Sequence, residues 1–135
     1  MNQYKVAIFG FDSEPHFLHE LKKCLYNLGC EPAEERKGDE PYAIYPILGK
    51  GYKFFIYEAN RLFPLGSDDL KFLEAVRKVD TQFPIIVICP PGMGDYCKQD
   101  IIQRLSLKKI KRNNDRGGWE FSDLEYIVTE ALIID

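Results

Sequence analysis

Three short, nearly continuous apolar runs constrain this chain more than anything else in it. They are "KVAIF" (5–9), "FFIY" (54–57) and "IIVI" (85–88). Each is too short for a helix and is rich in β-branched or aromatic residues, so each reads as a strand. None shows the apolar–polar alternation of a strand with one wet face. A strand that is apolar on both sides has to be covered on both sides, and this is the habit of parallel sheets flanked by helices. The first strand is read over Tyr4 to Phe11, the third over Lys53 to Glu58, and the fourth over "FPIIVICP" (83–90).

The stretches between these runs carry helical spacing. After the first strand, "DSEP" offers Asp12 or Ser13 as a helix cap and Pro15 for the first turn. Phe17, Leu18, Leu21, Cys24, Leu25 and Leu28 then recur on one helical face, and Gly29 closes the helix. Residues 30–37 read as a second strand, polar enough for a sheet edge. Residues 42–48 read as a short helix damaged by Pro46. "SDDL" opens the next helix with Ser67 or Asp68 as cap; Leu70, Phe72, Leu73, Val76 and Val79 give it a buried face. A further helix is expected over about 95–105, a short alternating fifth strand over "LKKIKR" (107–112), and a last helix over "FSDLEYIVTEALI" (121–133). Ser122 and Glu125 of that last helix have the offset of a capping box.

The alternation of strand and helix predicts an α/β fold. The expected form is a flavodoxin-like doubly wound, five-stranded parallel sheet of order 2-1-3-4-5, with helices on both faces. No repeat, low-complexity tract or linker interrupts the 135 residues, so 1–135 is read as one domain. A chain of this size buries enough surface to need no metal or disulfide for its core. The net charge of −3 gives no global attraction to nucleic acid or to an anionic membrane. No basic leader and no run of about twenty apolar residues is present, which sets the expectation of a cytoplasmic protein without a membrane span. The four cysteines, Cys24, Cys30, Cys89 and Cys97, form no C-x-x-C pair and are read as reduced thiols. His16 and His19 are read as surface or half-buried residues, so no metal site and no cofactor is expected.

In a doubly wound sheet the functional crevice lies at the C-terminal ends of the central strands. Those ends carry Asp12 and Ser13, Glu58, Cys89 with Pro90, and Lys111. The solitary carboxylate at the tip of "FFIYE" therefore faces a shared pocket. Here the chain resembles a response-regulator receiver domain along nearly its whole length. "DSEP" resembles the family's Asp-Asp-Glu-Pro turn. "YKFFIYEAN" resembles the strand that ends in the phospho-accepting aspartate, and "FPIIVIC" the strand that ends in Thr or Ser. Lys111 in "KKIKR" falls where the family keeps a lysine.

The departures shape the functional reading. By this resemblance Glu58 stands at the phospho-acceptor position, Ser13 replaces the second acid, Cys89 replaces the hydroxyl residue, Lys108 replaces the usual aromatic, and Arg112 follows the lysine instead of proline. Asp12 and Lys111 remain. Alternatively strand one ends at Gly10, which puts Gly10 and Phe11 at the acidic positions. The resemblance implies in-line attack of a carboxylate on a phosphoryl group beside Mg²⁺. Glu58 adds a methylene that displaces its oxygens by about an ångström or more, and phosphoryl transfer is sensitive to such misplacement. The degenerate pocket Asp12, Ser13, Glu58, Cys89, Lys108 and Lys111 thus implies a pseudo-receiver that is not an enzyme. Glu58 is then either a polar tip paired with Lys111 or solvated, or a built-in mimic of the charged state.

The expected function is signalling by protein–protein interaction, with a partner or output domain of a two-component or transcription-regulatory pathway. The face formed by the helix at 95–105, strand five and the last helix is expected to mediate a homodimer. Two alternatives are a working phospho-accepting receiver and a flavodoxin-like binder of a small ligand such as a flavin or quinone. The basic run "SLKKIKRNNDR" is short and partly strand, so direct nucleic-acid binding is not expected.

Overall fold

The structure, a computed structural model, describes residues 4–11, 14–35, 49–58, 68–89, 99–111 and 121–133. Five strands, β1 (Tyr4–Phe9), β2 (Cys30–Glu34), β3 (Phe54–Glu58), β4 (Ile85–Cys89) and β5 (Lys108–Lys111), form one sheet of order β2-β1-β3-β4-β5. Every pairing is parallel. The described helices are α1 (Pro15–Asn27), α2 (Asp68–Val79), α3 (Gln99–Arg104) and α4 (Phe121–Ile133). This is the doubly wound flavodoxin-like sheet that the strand–helix alternation implies.

The sheet is dry on both faces because the three apolar runs supply both sets of side chains. Val6, Ile8, Phe54, Ile56, Ile86, Ile88 and Ile110 face α1 and α4, whose Leu21, Leu25, Leu124 and Val128 complete one core layer. Ala7, Phe9, Phe55, Tyr57, Ile85, Val87 and Cys89 face α2 and α3, where Phe72, Leu73, Val76 and Ile101 complete the other. Aromatic rings knit this second layer. Phe9 stacks on Tyr57 at 4.3 Å between centroids and meets Phe55 edge-on at 5.1 Å. Such pairs add specific geometry to the area they bury. β2 is the edge, as its polar sequence suggests, with Glu31 and Glu34 exposed. β5 is the other edge, and there Ile110 is fixed in the core while Lys108 stays in solvent.

Several boundaries differ from the sequence reading. β1 ends at Phe9 rather than Phe11, because Gly10 (φ 109°) and Phe11 (φ 68°) leave the extended region. Helix α1 starts at Pro15 with Glu14 at its N-cap and no side-chain cap bond, so neither Asp12 nor Ser13 fills that place. Proline compensates: its missing N–H is one the first turn could not satisfy. Helix α4 begins at Phe121, which puts Ser122 inside its first turn rather than at the cap. Val79 does not join the buried face of α2; it is 52% exposed at the helix end. The suggested helix at 42–48 lies outside the described residues.

Candidate functional site

The parallel register brings the ends of β3, β4 and β5 to one edge of the sheet. Glu58 pairs with Ile88, and Cys89, one residue further, pairs with Lys111. β4 separates β3 from β5, so the backbones of Glu58 and Lys111 stand roughly 9.6 Å apart at two strand spacings. Glu58 is half-buried, in contrast to the four fully buried residues before it. Its burial changes at the strand tip, where the helices no longer cover the sheet. The carboxylate is therefore neither a solvated loop residue nor a core residue. It lies at the rim of the crevice.

On the other side of β3, no acid among the described residues is level with Glu58. Phe9 pairs with Tyr57, and one further residue sets Gly10 level with Glu58. Gly10 has no side chain. Phe11 turns its ring into the core beneath α1, 1% exposed and 5.2 Å from the ring of Phe17. A bulky residue at positive φ is uncommon; here the turn Glu14 N–H to Phe11 O (3.1 Å) and the buried ring hold it. Asp12 and Ser13 lie outside the described residues. Lys108 is not brought to the crevice: it pairs with Ile86, three residues back from the Lys111 level, and is exposed. Of the sequence-derived set, the sheet gathers Glu58, Cys89 and Lys111 at one end and leaves Lys108 at the other.

Cys89 corrects one expectation. It is buried, 1% exposed, and it is disulfide-bonded rather than a reduced thiol. Cys24 and Cys30 are free and buried, as expected. Burial pushes both thiols up to about 11, with the charge of Glu125 adding to the effect at Cys24 and the neighbouring Cys24 adding to it at Cys30. Cys97 lies outside the described residues. Among the described residues no group of three or more His, Cys, Asp or Glu is arranged to hold a metal. Mg²⁺ favours carboxylate oxygens, and of the described ends of the three central strands only that of β3 carries one, Glu58. The residues described do not fit the Mg²⁺ site that the receiver resemblance implies.

Two polar clusters were not legible in the sequence. Arg77 on α2 donates from Nε to Leu105 O (2.6 Å), from Nη1 to Phe83 O (2.5 Å) and Asp80 O (3.3 Å), and from Nη2 to Ser106 O (3.3 Å). It fastens the end of α2 to the segment entering β4 and to the turn entering β5. At the far side, Glu35 accepts hydrogen bonds from Tyr52 Oη and from Lys50 Nζ (2.8 Å). Burial, then Glu35, raises the Tyr52 phenol above its ordinary range. A carbonyl cluster has no sequence signature. Arg77 was detectable only as a cation near the end of an amphipathic helix.

No family model matches the chain, and no curated protein matches it. Solved structures do. A response regulator receiver domain protein from Clostridium thermocellum superposes with a TM-score of 0.67 at 14% identity, covering 96% of this chain and 94% of that one. The receiver domain of a DNA-binding response regulator from Colwellia psychrerythraea gives 0.64 at 14% identity, over 97% and 99%. The receiver domain of a two-component histidine kinase, also from Clostridium thermocellum, gives 0.62 at 17% identity, over 99% and 100%. The chain has the fold of a receiver domain from end to end. Among its described residues no helix is long and apolar enough to cross a membrane.

Proposed function

We propose that this protein is a receiver-like signalling domain that does not accept phosphate and acts by protein–protein contact, without catalysis of its own. One observation carries the reading. At the strand end where a phospho-accepting domain needs clustered carboxylates, the residue after Tyr57 is Glu58 and the residue after its partner Phe9 is a glycine, Gly10, just past the end of β1. Phe11, the next residue, is committed to the core. The longer reach of Glu58 and the buried, covalently occupied sulfur of Cys89 support the same conclusion. Neither supplies the hydroxyl donor or the aspartate geometry that positions a phosphoryl group.

In this reading Glu58 supplies a standing negative charge at the crevice, facing the strand that ends in Lys111. The signal passes to a protein partner or output domain in a two-component or transcription-regulatory pathway in the cytoplasm. The docking face is α3, β5 and α4, where a second copy of the chain can also pack. Tyr126 projects from α4, 67% exposed, and tyrosine is a common interface anchor.

The test is the intact mass after incubation with Mg²⁺ and acetyl phosphate, with a phospho-accepting receiver treated in parallel. The expected result is an unmodified mass. A stoichiometric phosphoryl adduct on the wild type that Glu58→Gln abolishes would overturn the reading and make the protein a working receiver. Glu58→Ala separates the charge from the fold: self-association, measured by sedimentation, should change at unchanged thermal stability. No change in association would rule out a role for the charge.

A further inference from the structure

Helices α1 and α4 cover the same face of the sheet, and a groove of about 210 Å³ is lined by both. Glu20, Lys23, Cys24 and Asn27 of α1 form one wall, and Glu125 of α4 stands on the other. The α1 residues fall at i, i+3, i+4 and i+7, a single stripe along the helix. Cys24 is the buried member of that stripe, 7% exposed, and its thiol is free. Burial first, and the charge of Glu125 second, push this thiol up to about 11. It therefore stays protonated near neutral pH and adds no charge to the groove.

The two carboxylates are unspent. Among the described residues neither Glu20 nor Glu125 has an ion-pair partner. Glu20 and Lys23 have the spacing of a helical ion pair, yet they do not form one. The neighbouring cation, Lys22, is committed elsewhere, to Glu34 at 2.6 Å. We propose that this groove is a docking site for one arginine side chain of a protein partner, held between Glu20 and Glu125.

The chemistry of the walls selects that occupant. A metal ion is a poor fit: a protonated thiol is not a metal ligand, and among the described residues no group of three or more His, Cys, Asp or Glu is arranged to hold one. A guanidinium is flat, carries five donors and sheds water more readily than an ammonium. It can bond one carboxylate on each helix and still reach the side-chain oxygen of Asn27. The volume lies below the roughly 300–1,000 Å³ of a drug-sized ligand site, so it suits one side chain. A free guanidinium compound would gain little, because Lys23, Asn27 and Glu125 are exposed and ion pairs in water are weak. A protein adds contacts around the arginine. Tyr26, next to Asn27 and 55% exposed, offers them an aromatic anchor. This surface is distinct from the α3, β5 and α4 face proposed above, although α4 borders both.

The test titrates the isotope-labelled full-length chain with the blocked pentapeptide Leu-Ala-Arg-Ala-Leu and follows the backbone amide shifts. The expected result is saturable binding at low salt, with shifts confined to α1 and α4 and weakened by added salt. The same peptide with citrulline, the neutral isostere of arginine, should not bind, and the lysine peptide should bind more weakly. The isosteric pair Glu20→Gln and Glu125→Gln should lower affinity by about tenfold or more. Lys23→Gln removes a like charge and should raise affinity by about twofold; it decides the matter if the double variant melts lower than the wild type. Absent or scattered shifts, equal binding of the citrulline peptide, full affinity in a stable double variant, or no gain in Lys23→Gln would overturn the proposal. Blocked arginine alone should bind more weakly than the pentapeptide. Equal affinity would assign the groove to a small guanidinium compound and overturn the protein partner. Neither phosphodonor labelling nor the Glu58→Ala association test depends on this groove, so this inference and the signalling reading fail separately.

Discussion

Replacing Arg77 by alanine should destabilise the domain far more than a surface arginine does, although neither residue is in the apolar core. The guanidinium makes four hydrogen bonds to main-chain carbonyls on two separate segments. Two of them, to Leu105 O and Phe83 O, are short and partly buried. A hydrogen bond from a charged donor contributes about 1.5–3 kcal/mol, and a stranded carbonyl costs more than the bond was worth. The other two are long and exposed and are set near zero. Discounting the short pair for partial solvent access leaves a loss of about 2–3 kcal/mol. A domain of this length has an unfolding entropy of about 0.28 kcal/mol/K, so the midpoint should fall by roughly 7–11 °C. Lysine should recover less than half, since a single ammonium cannot reproduce a planar fork aimed at several acceptors. The internal comparison is Arg104→Ala. Arg104 pairs with Glu74 at 3.0 Å, with both side chains well exposed, and such a pair contributes about 0.5 kcal/mol or less. Urea unfolding followed by circular dichroism reads all three variants. If Arg77→Ala falls within error of Arg104→Ala, the carbonyl cluster is not holding the β4 and β5 entries together.

Two further predictions use the same unfolding assay. Ser106 adopts φ 54° in the turn before β5 and is exposed, so Ser106→Gly should stabilise by about 0.5–1 kcal/mol by removing the cost of a left-handed side chain; a destabilised variant would show that the serine hydroxyl matters more than the backbone. Tyr52→Phe should cost about 1 kcal/mol near neutral pH, the usual worth of its hydrogen bond to Glu35. The Tyr52 phenol is raised in the folded state by burial and by Glu35, so its contribution is complete below the unfolded value of about 10 and is lost as pH rises above it. The gap between wild type and Tyr52→Phe should therefore stay constant up to about pH 10 and narrow as the pH is raised further. A gap that stays constant above that pH would remove Tyr52 as the titrating group.

What the sequence discloses and what it hides follow from where each constraint originates. The sheet was legible because β1, β3 and β4 are buried on both faces, and double burial leaves an uninterrupted apolar run that no other element of that length produces. The same logic placed Glu58 at the crevice: the run ends where the helices stop covering the strand. The β1 end was harder, since "FGFD" continues the apolar run for two residues that the backbone does not continue as strand. Gly10 ends the strand through its positive φ, and Phe11 then turns inward. An apolar residue in a turn looks the same in sequence as one in a strand. That ambiguity matters for the site, because it decides which residue of the β1 end is level with Glu58. Lys108 shows the converse case. The family resemblance put it among the pocket positions, but pairing with Ile86 sets Lys108 at the start of β5, three residues before Lys111. Arg77 was hidden for a third reason, its acceptors being backbone carbonyls that every residue carries. The residues that set the fold were thus readable from their own chemistry. Those that set the site depend on register, which one strand alone does not contain. For this domain the deciding comparison is between two levels of one sheet: Glu58 against Gly10 on one side, and Cys89 against Lys111 on the other. Among the described residues Gly10, not an acid, is level with Glu58, and the proposed role of Glu58 as a charge for a partner to read rests on that comparison.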